Sequence, residues 1–307
     1  MSAKLAGGCA LVTGASGFIG GHLCTALSNA GCRVHGVTRG EPRASTPSLD
    51  WYQRDLTDAR AVAELVAQVR PDFVFHLASH VMGAPDIAHV LPTFHGNLQS
   101  TVNLLTACAA ASCERVVLMG SLVEPDDRDG ERVPSSPYAA SKWASSDYGR
   151  MFHRLYGLPV AIARVFMVYG PAQPDGSKLV PNTIGKFRRG EAVTIGNGER
   201  LIDWVYVDDV VSGLLAMAEA TGIDGDSVDL GSGSLIATRD LALLLKSLMG
   251  PNLELSFGRI SDRPHEPVRK ANVAASFEKI GWRPRIELAE GLRRTIEWYA
   301  DKTEERA

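Results

Sequence analysis

No stretch of this chain is apolar for long enough to cross a bilayer. Its first residues, Met1-Ser2-Ala3-Lys4-Leu5, run almost directly into a strand pattern and leave no room for a signal peptide. A cytoplasmic location is the expectation. Cysteine is sparse: Cys9, Cys24, Cys32, Cys108 and Cys113 are odd in number, lack metal-ligand spacing and sit in apolar segments. They fit reduced, mostly buried thiols, with no disulfide framework and no metal site. Neither sign of charge dominates, since 32 Lys plus Arg face 35 Asp plus Glu for a net charge of −3. Neither nucleic acid nor an anionic membrane surface is an expected partner.

What is present is a chain of 307 residues, 45% of them hydrophobic, enough for one sizeable domain with a smaller one attached. Apolar runs at Cys9–Thr13, Arg33–Val37, Trp51–Gln53, Phe73–Leu77 and Arg115–Met119 alternate with helical patterns over 59–69 and 94–110. The run at Phe73–Leu77 is almost continuously apolar, as in a parallel strand covered on both faces. The alternation predicts an α/β fold with a doubly wound parallel sheet.

Gly14-Ala15-Ser16-Gly17-Phe18-Ile19-Gly20 follows the first strand and opens a helix carried by Ile19, Leu23, Ala26 and Leu27. Three glycines there permit a tight turn, close backbone approach to a pyrophosphate and close helix–strand packing, with helix N–H groups facing the phosphates. The second strand ends at Thr38-Arg39, with Arg43 close behind. A threonine and a guanidinium suit a 2′-phosphate better than the ribose hydroxyls, so NADP is read over NAD. Asp55 is placed either to accept from an adenine amino group or to cap the next helix.

Ser136-Pro137-Tyr138 reads as N-cap, first and second helical residues. Tyr138 and Lys142 then share a helix face. A phenol titrates at about 10, and a cation about 4 Å away at an effective dielectric of about 20 is worth about 4 kcal/mol, roughly three pKa units. Helped by the helix N-terminus, Tyr138 is expected to exchange a proton near neutrality.

Together with His76-Leu77-Ala78-Ser79, Asn97, Ser121, Val168-Tyr169-Gly170-Pro171, Asp203-Trp204-Val205-Tyr206-Val207-Asp208-Asp209 and Gly281-Trp282-Arg283-Pro284, these residues resemble the extended short-chain dehydrogenase/reductase family of nucleotide-sugar epimerases, dehydratases and ketoreductases. The resemblance implies a Rossmann domain (1–168 and 203–234) and a smaller α/β substrate-binding domain (169–202 and 235–307). It makes Ser121 the hydroxyl that holds the substrate oxygen, Tyr138 the acid/base, and Lys142 the residue that binds the nicotinamide ribose and lowers the tyrosine pKa. Gly14, Ser16, Gly17, Phe18, Ile19, Gly20, Thr38, Arg39, Asp55, Leu56, Leu77, Ala78, Ser79 and Asn97 become cofactor residues, and His80, Glu124, Lys178, Leu179, Arg200 and Arg263 substrate residues. It also implies a homodimer paired through helices 94–110 and 137–156, where Phe152 and Tyr156 exceed what one core requires.

The sequence departs from the family at three places. Met167 stands where asparagine is usual and Ile202 where arginine is usual, both normally holding substrate phosphates; Arg200, Lys178 or Arg263 could compensate. Leu122 and Val123 replace the Asp-Glu pair of the 4,6-dehydratases, with Glu124 a partial stand-in. The leading expectation is an NADPH-dependent ketoreductase of a nucleotide-activated 4-keto-6-deoxy sugar. The alternatives are an epimerase or dehydratase with tightly held NAD(P), reduction of a substrate that is not a sugar nucleotide, and, from another class, a catalytically silent cofactor-sensing protein.

Overall fold

The computed structural model describes residues 4–41, 48–125, 133–250, 252–258 and 267–304. Strands β1 (Cys9–Thr13), β2 (Arg33–Thr38), β3 (Leu49–Gln53), β4 (Phe73–His76), β5 (Arg115–Ser121) and β6 (Val160–Val165) are separated by helices that include α1 (Phe18–Asn29) and α2 (Ala59–Val69). Later strands are β7 (Met167–Tyr169), β8 (Val193–Ile195), β9 (Leu201–Tyr206) and β10 (Ser227–Leu230). Seven of these form one sheet in the order β10-β6-β5-β4-β1-β2-β3, and every neighbouring pair is parallel.

The apolar strands follow from this topology. Successive side chains point to opposite faces, and both faces are covered by helices. Ala10, Val12, Phe73, Phe75 and Val117 pack on one side with Leu23 and Leu27 of α1 and with Val210 and Leu214. Leu11, Val74, Val116 and Leu118 pack on the other with Val62 and Leu65 of α2 and with Leu104 and Leu105. Each such side chain contributes about 1.5–3 kcal/mol by leaving water. The order of strands places β1 beside β4, where the winding reverses, and opens a crevice beyond their C-terminal ends.

The helical pattern read over 94–110 is subdivided. A short α3 (Val90–Thr93) passes through a π-helical stretch, Phe94–Gln99, into α4 (Ser100–Ala109). Side chains withdraw carbonyls from regular pairing there: the Asn97 carbonyl accepts from the hydroxyls of Thr101 at 2.6 Å and Ser100 at 3.1 Å. Helix α5 (Pro137–Tyr156) begins as the sequence predicts, with Ser136 Oγ accepting from Ala139 N–H at 3.1 Å.

A third core cluster joins a small sheet, β11 (Leu235–Ala237) with β9 and β7, to α6 (Leu179–Arg188) and α8 (Thr238–Met249). Tyr169, Val180, Ile184, Trp204, Tyr206, Leu241 and Leu245 are among its buried members. Asp203 faces the other way, accepting from Ser232 N–H and Oγ, Gly233 N–H and Ala271 N–H. The cysteines are all free thiols, four of them buried. Among the described residues no helix is long and apolar enough to cross a membrane, and no group of three or more His, Cys, Asp or Glu side chains could hold a metal ion.

Candidate active site

The glycine turn is shaped by contact as well as by dihedral angle. Gly14 has φ +67°, and a methyl group on it would lie 2.7 Å from the Ala78 nitrogen; one on Gly20 would lie 2.1 Å from the Gly14 carbonyl oxygen. Helix α1 starts at Gly17 with no side-chain cap and no acidic residue in its first turn. Its N–H groups and positive end are therefore left for an anion. A dinucleotide pyrophosphate fits this bare turn.

At the end of β2, Thr38 is buried and its hydroxyl lies 3.1 Å from that of Ser16, which is exposed on the glycine turn. Arg39 is exposed, its carbonyl accepting from Gln53 Nε2 at 3.1 Å. Asp55 does not cap α2; Asp58 does, accepting from Arg60 and Ala61 N–H. The Asp55 carboxylate instead accepts from Thr57 N–H and Oγ, which hold it below the usual carboxylate range, and the residue stays exposed. Leu56 is buried in the core, its carbonyl accepting from Asn103.

Asn97 ties three parts of the site together. Its Oδ1 accepts from Ser79 Oγ at 3.1 Å and His80 N–H at 2.6 Å, and its Nδ2 donates to His80 O and to Ser141 Oγ at 2.9 Å. Ser141 in turn donates to Tyr138 O. Leu77, Ala78 and Ser79 are thereby anchored, half-buried, beside the glycine turn, with Ala78 N–H donating to Thr13 Oγ at 3.2 Å. The His76 ring bridges Thr13 and Thr101 hydroxyls at 2.7 and 3.0 Å; burial, then the Lys142 charge, pull its pKa down to about 3 and keep it neutral.

Ser121, Tyr138 and Lys142 converge at the end of β5 and the start of α5. The Ser121 and Tyr138 hydroxyls share a hydrogen bond. Lys142 Nζ donates to Met119 O at 2.9 Å and stands 6.0 Å from the centre of the Tyr138 ring. The expected lowering of the tyrosine pKa is absent from the free protein. Burial, with the negative field of Glu124, outweighs the Ser121 hydrogen bond and pushes the phenol up to about 12. Burial draws Lys142 down to about 8. The sequence argument weighed a cation about 4 Å from the phenol and left out burial, which here is the larger effect, while Lys142 Nζ gives a hydrogen bond to Met119 O.

Glu124, expected to meet substrate, turns inward. The residue is 2% exposed, and its Oε1 accepts from Ser121 N–H at 2.6 Å. Three residues on from Ser121, the chain has reversed through a turn in which Glu124 N–H donates to Ser121 O. Arg269, which nothing in the sequence pattern singled out, donates to Leu122 O at 3.0 Å and to Glu124 O. The signal it carries is tertiary.

The remaining substrate candidates come from separate segments of the chain. Lys178 precedes α6 and pairs with Asp175 at 3.8 Å; Leu179 is half-buried, and Arg200 is half-buried before β9. His80 is half-buried, with Nε2 sealed from solvent and without a hydrogen-bond partner among the described residues. Arg263 and Arg43 lie outside the described residues. Ile202 is buried in the third core cluster, and Met167 packs against it. Phe152 is 6% exposed in the core and so is not a surplus interface aromatic, whereas Tyr156, edge-on to it at 5.2 Å, is 61% exposed.

Comparison with known proteins agrees with this geometry. Residues 10–231 match the model of the NAD dependent epimerase/dehydratase family. The UDP-glucose 4-epimerase of Mycolicibacterium smegmatis is 31% identical over 96% of this chain and 99% of its own. dTDP-glucose 4,6-dehydratase 1 of Escherichia coli is 28% identical over 95% and 93%. Among solved structures, the Bordetella bronchiseptica enzyme WbmF in complex with NAD+ and UDP superposes with a TM-score of 0.86 at 27% identity, covering 99% of this chain and 95% of that one. A parallel sheet with a bare glycine turn at its winding reversal, a Ser-Tyr-Lys convergence beside it and this run of matched sequence place the chain in the NAD dependent epimerase/dehydratase family.

Proposed function

We propose that this enzyme oxidises and re-reduces one carbon of a nucleotide-activated sugar and inverts it, a 4-epimerase in reaction class. The observation that carries this reading is the convergence of Ser121, Tyr138 and Lys142 beside the glycine turn. The weight moves from the ketoreductase expectation to its epimerase alternative because a relative 31% identical over 99% of its own length is a 4-epimerase. Dehydration is disfavoured: Leu122 and Val123 offer no acid or base group, and Glu124 is buried with its carboxylate accepting from Ser121 N–H.

A nicotinamide dinucleotide supplies the hydride acceptor and donor when bound. Gly14, Gly17 and Gly20 would make room for its pyrophosphate, Lys142 would hold its ribose, and Tyr138 would exchange the proton of the sugar hydroxyl whose oxygen Ser121 would hold. Thr38, Ser16 and Arg39 at the adenosine end favour a 2′-phosphate, hence NADP, although NAD+ occupies the superposed neighbour. With Met167 and Ile202 both given to apolar packing, the phosphates of the substrate fall to Arg200 and Lys178.

A ketoreductase remains the second reading, favoured by the protonated phenol of the free protein, the form that donates to a ketone oxygen. The protein is denatured and its released nucleotide identified, then UDP-glucose and a nucleotide-activated 4-keto-6-deoxy sugar are offered in turn. Conversion of UDP-glucose to its C4 epimer without net cofactor change supports the epimerase. Stoichiometric NADPH consumption with the keto sugar alone overturns it for the reductase. We also propose a homodimer through the exposed apolar face of Val90, Leu91, Phe94, Tyr148, Leu155 and Tyr156; light scattering that finds only monomer at micromolar concentration refutes it.

A further inference from the structure

Glu124 is a buried carboxylate that the chemistry proposed above does not use, and the fold makes a place for it. Gly120 lies beneath it, where a side-chain methyl would come within 2.8 Å of Oε1. The Ser121 N–H donates to Oε1 at 2.6 Å, and the Ser146 hydroxyl, one turn beyond Lys142 on α5, adds a second hydrogen bond. Arg269 grips the backbone carbonyls on this turn.

The charged and titratable groups around it come from every element packed there. Helix α5 brings Lys142 and Tyr138, and β6 brings Arg164, which pairs with Asp229 of β10 at 3.3 Å. Strand β4 brings His76, which faces Lys142 and is neutral. Burial raises the Glu124 pKa, while the Ser121 and Ser146 hydrogen bonds and the Arg164 and Lys142 charges act against it and favour the carboxylate, and the Tyr138 phenol and Lys142 ammonium both lie in its field.

We propose that Glu124 is a positioning residue: an ionised carboxylate sealed beneath the Ser121 turn that fixes the serine and holds the protons on Tyr138 and Lys142. It biases the pair toward the protonated phenol that completes the reductive half of the reaction. The inference rests on the Ser-Tyr-Lys reading of the site.

The test is a pH titration of the free protein labelled with ¹³Cε-lysine, the Lys142 resonance being assigned with Lys142→Met. Lys142 should titrate at about 8 in the wild type. Glu124→Gln keeps an oxygen for the Ser121 N–H and removes the charge, so the midpoint should fall by about one pH unit, a tenfold loss of proton affinity. A midpoint within about 0.3 of wild type overturns the proposal, because a merely structural carboxyl would leave the lysine unmoved. Should Glu124→Gln fail to fold, wild type labelled at glutamate Cδ decides: Glu124 ionised at neutral pH, with a step at the Lys142 midpoint, supports the charge role, and Glu124 protonated there overturns it. Neither titration needs a substrate, so failure of the sugar assays and failure of this inference are separate results.

Discussion

Two adjacent glycines on α1 should respond oppositely to the same methyl group. On Gly20 it would sit 2.1 Å from the Gly14 carbonyl oxygen and 2.9 Å from Ala15 Cα, where ordinary contact begins at 3.4 Å. These are backbone atoms, so the turn must back away from the helix by about 1 Å. Overpacking of this kind costs about 1–3 kcal/mol, against a helix-propensity gain of about 1 kcal/mol. The displaced turn also withdraws N–H groups from the phosphates. Loss of one hydrogen bond to a charged oxygen, about 1.5–3 kcal/mol, weakens binding by roughly ten- to a hundredfold. On Gly21 the nearest atom is Ala15 O at 4.0 Å. Gly21→Ala should keep the helix gain and leave affinity unchanged. Calorimetric titration of each variant with NADPH and NADH, alongside denaturant unfolding, measures both quantities. Gly20→Ala binding within twofold of wild type, or the two variants behaving alike, would refute the steric account of the turn.

Tyr138→Phe should reduce turnover by about 10²–10⁴-fold while calorimetry finds nucleotide affinity retained; an unchanged biological effect would point to the cofactor-sensing alternative. Asp203→Ala leaves four donors, at 2.6 to 2.9 Å from its carboxylate, without an acceptor. Urea unfolding should show a loss of about 3 kcal/mol or more, with Asp203→Asn intermediate. His22 lies between Pro171 O at 3.0 Å and Asp208 at 3.3 Å, and the Asp208 hydrogen bond raises its pKa. Its stabilisation is full below about pH 6.5 and lost as pH rises through the folded value. Urea midpoints between about pH 5.5 and 8.5 should carry that component in wild type and lose it in His22→Gln; identical profiles would sink the assignment.

The glycine turn was legible because its constraint is local: spacing, strand before and helix after all lie within a dozen residues. The Tyr138–Lys142 pair was legible for the same reason, as one helical turn beginning at a Ser-Pro cap. Phe152 was misread because its burial depends on α5 lying against Leu118 and Val160, which helical periodicity alone does not reveal. Asp55 and Asp58 compete for one helix start, and only backbone geometry selects Asp58.

By itself the sequence determined the alternation of strand and helix, the doubly wound sheet and the identity of the hydroxyl, phenol and ammonium at its edge. The alternation and the Tyr138–Lys142 pair follow from periodicity or from neighbours close along the chain, whereas Ser121 enters through the resemblance to the family. The tertiary structure alone decided that Glu124 turns inward, that Arg269 clamps its turn, and that Lys142 binds Met119 O. It also decided the protonation of the site. Proton affinity is set by lost water and by nearby charges, and those neighbours are brought together from separate elements: β4, the turn after β5, and α5.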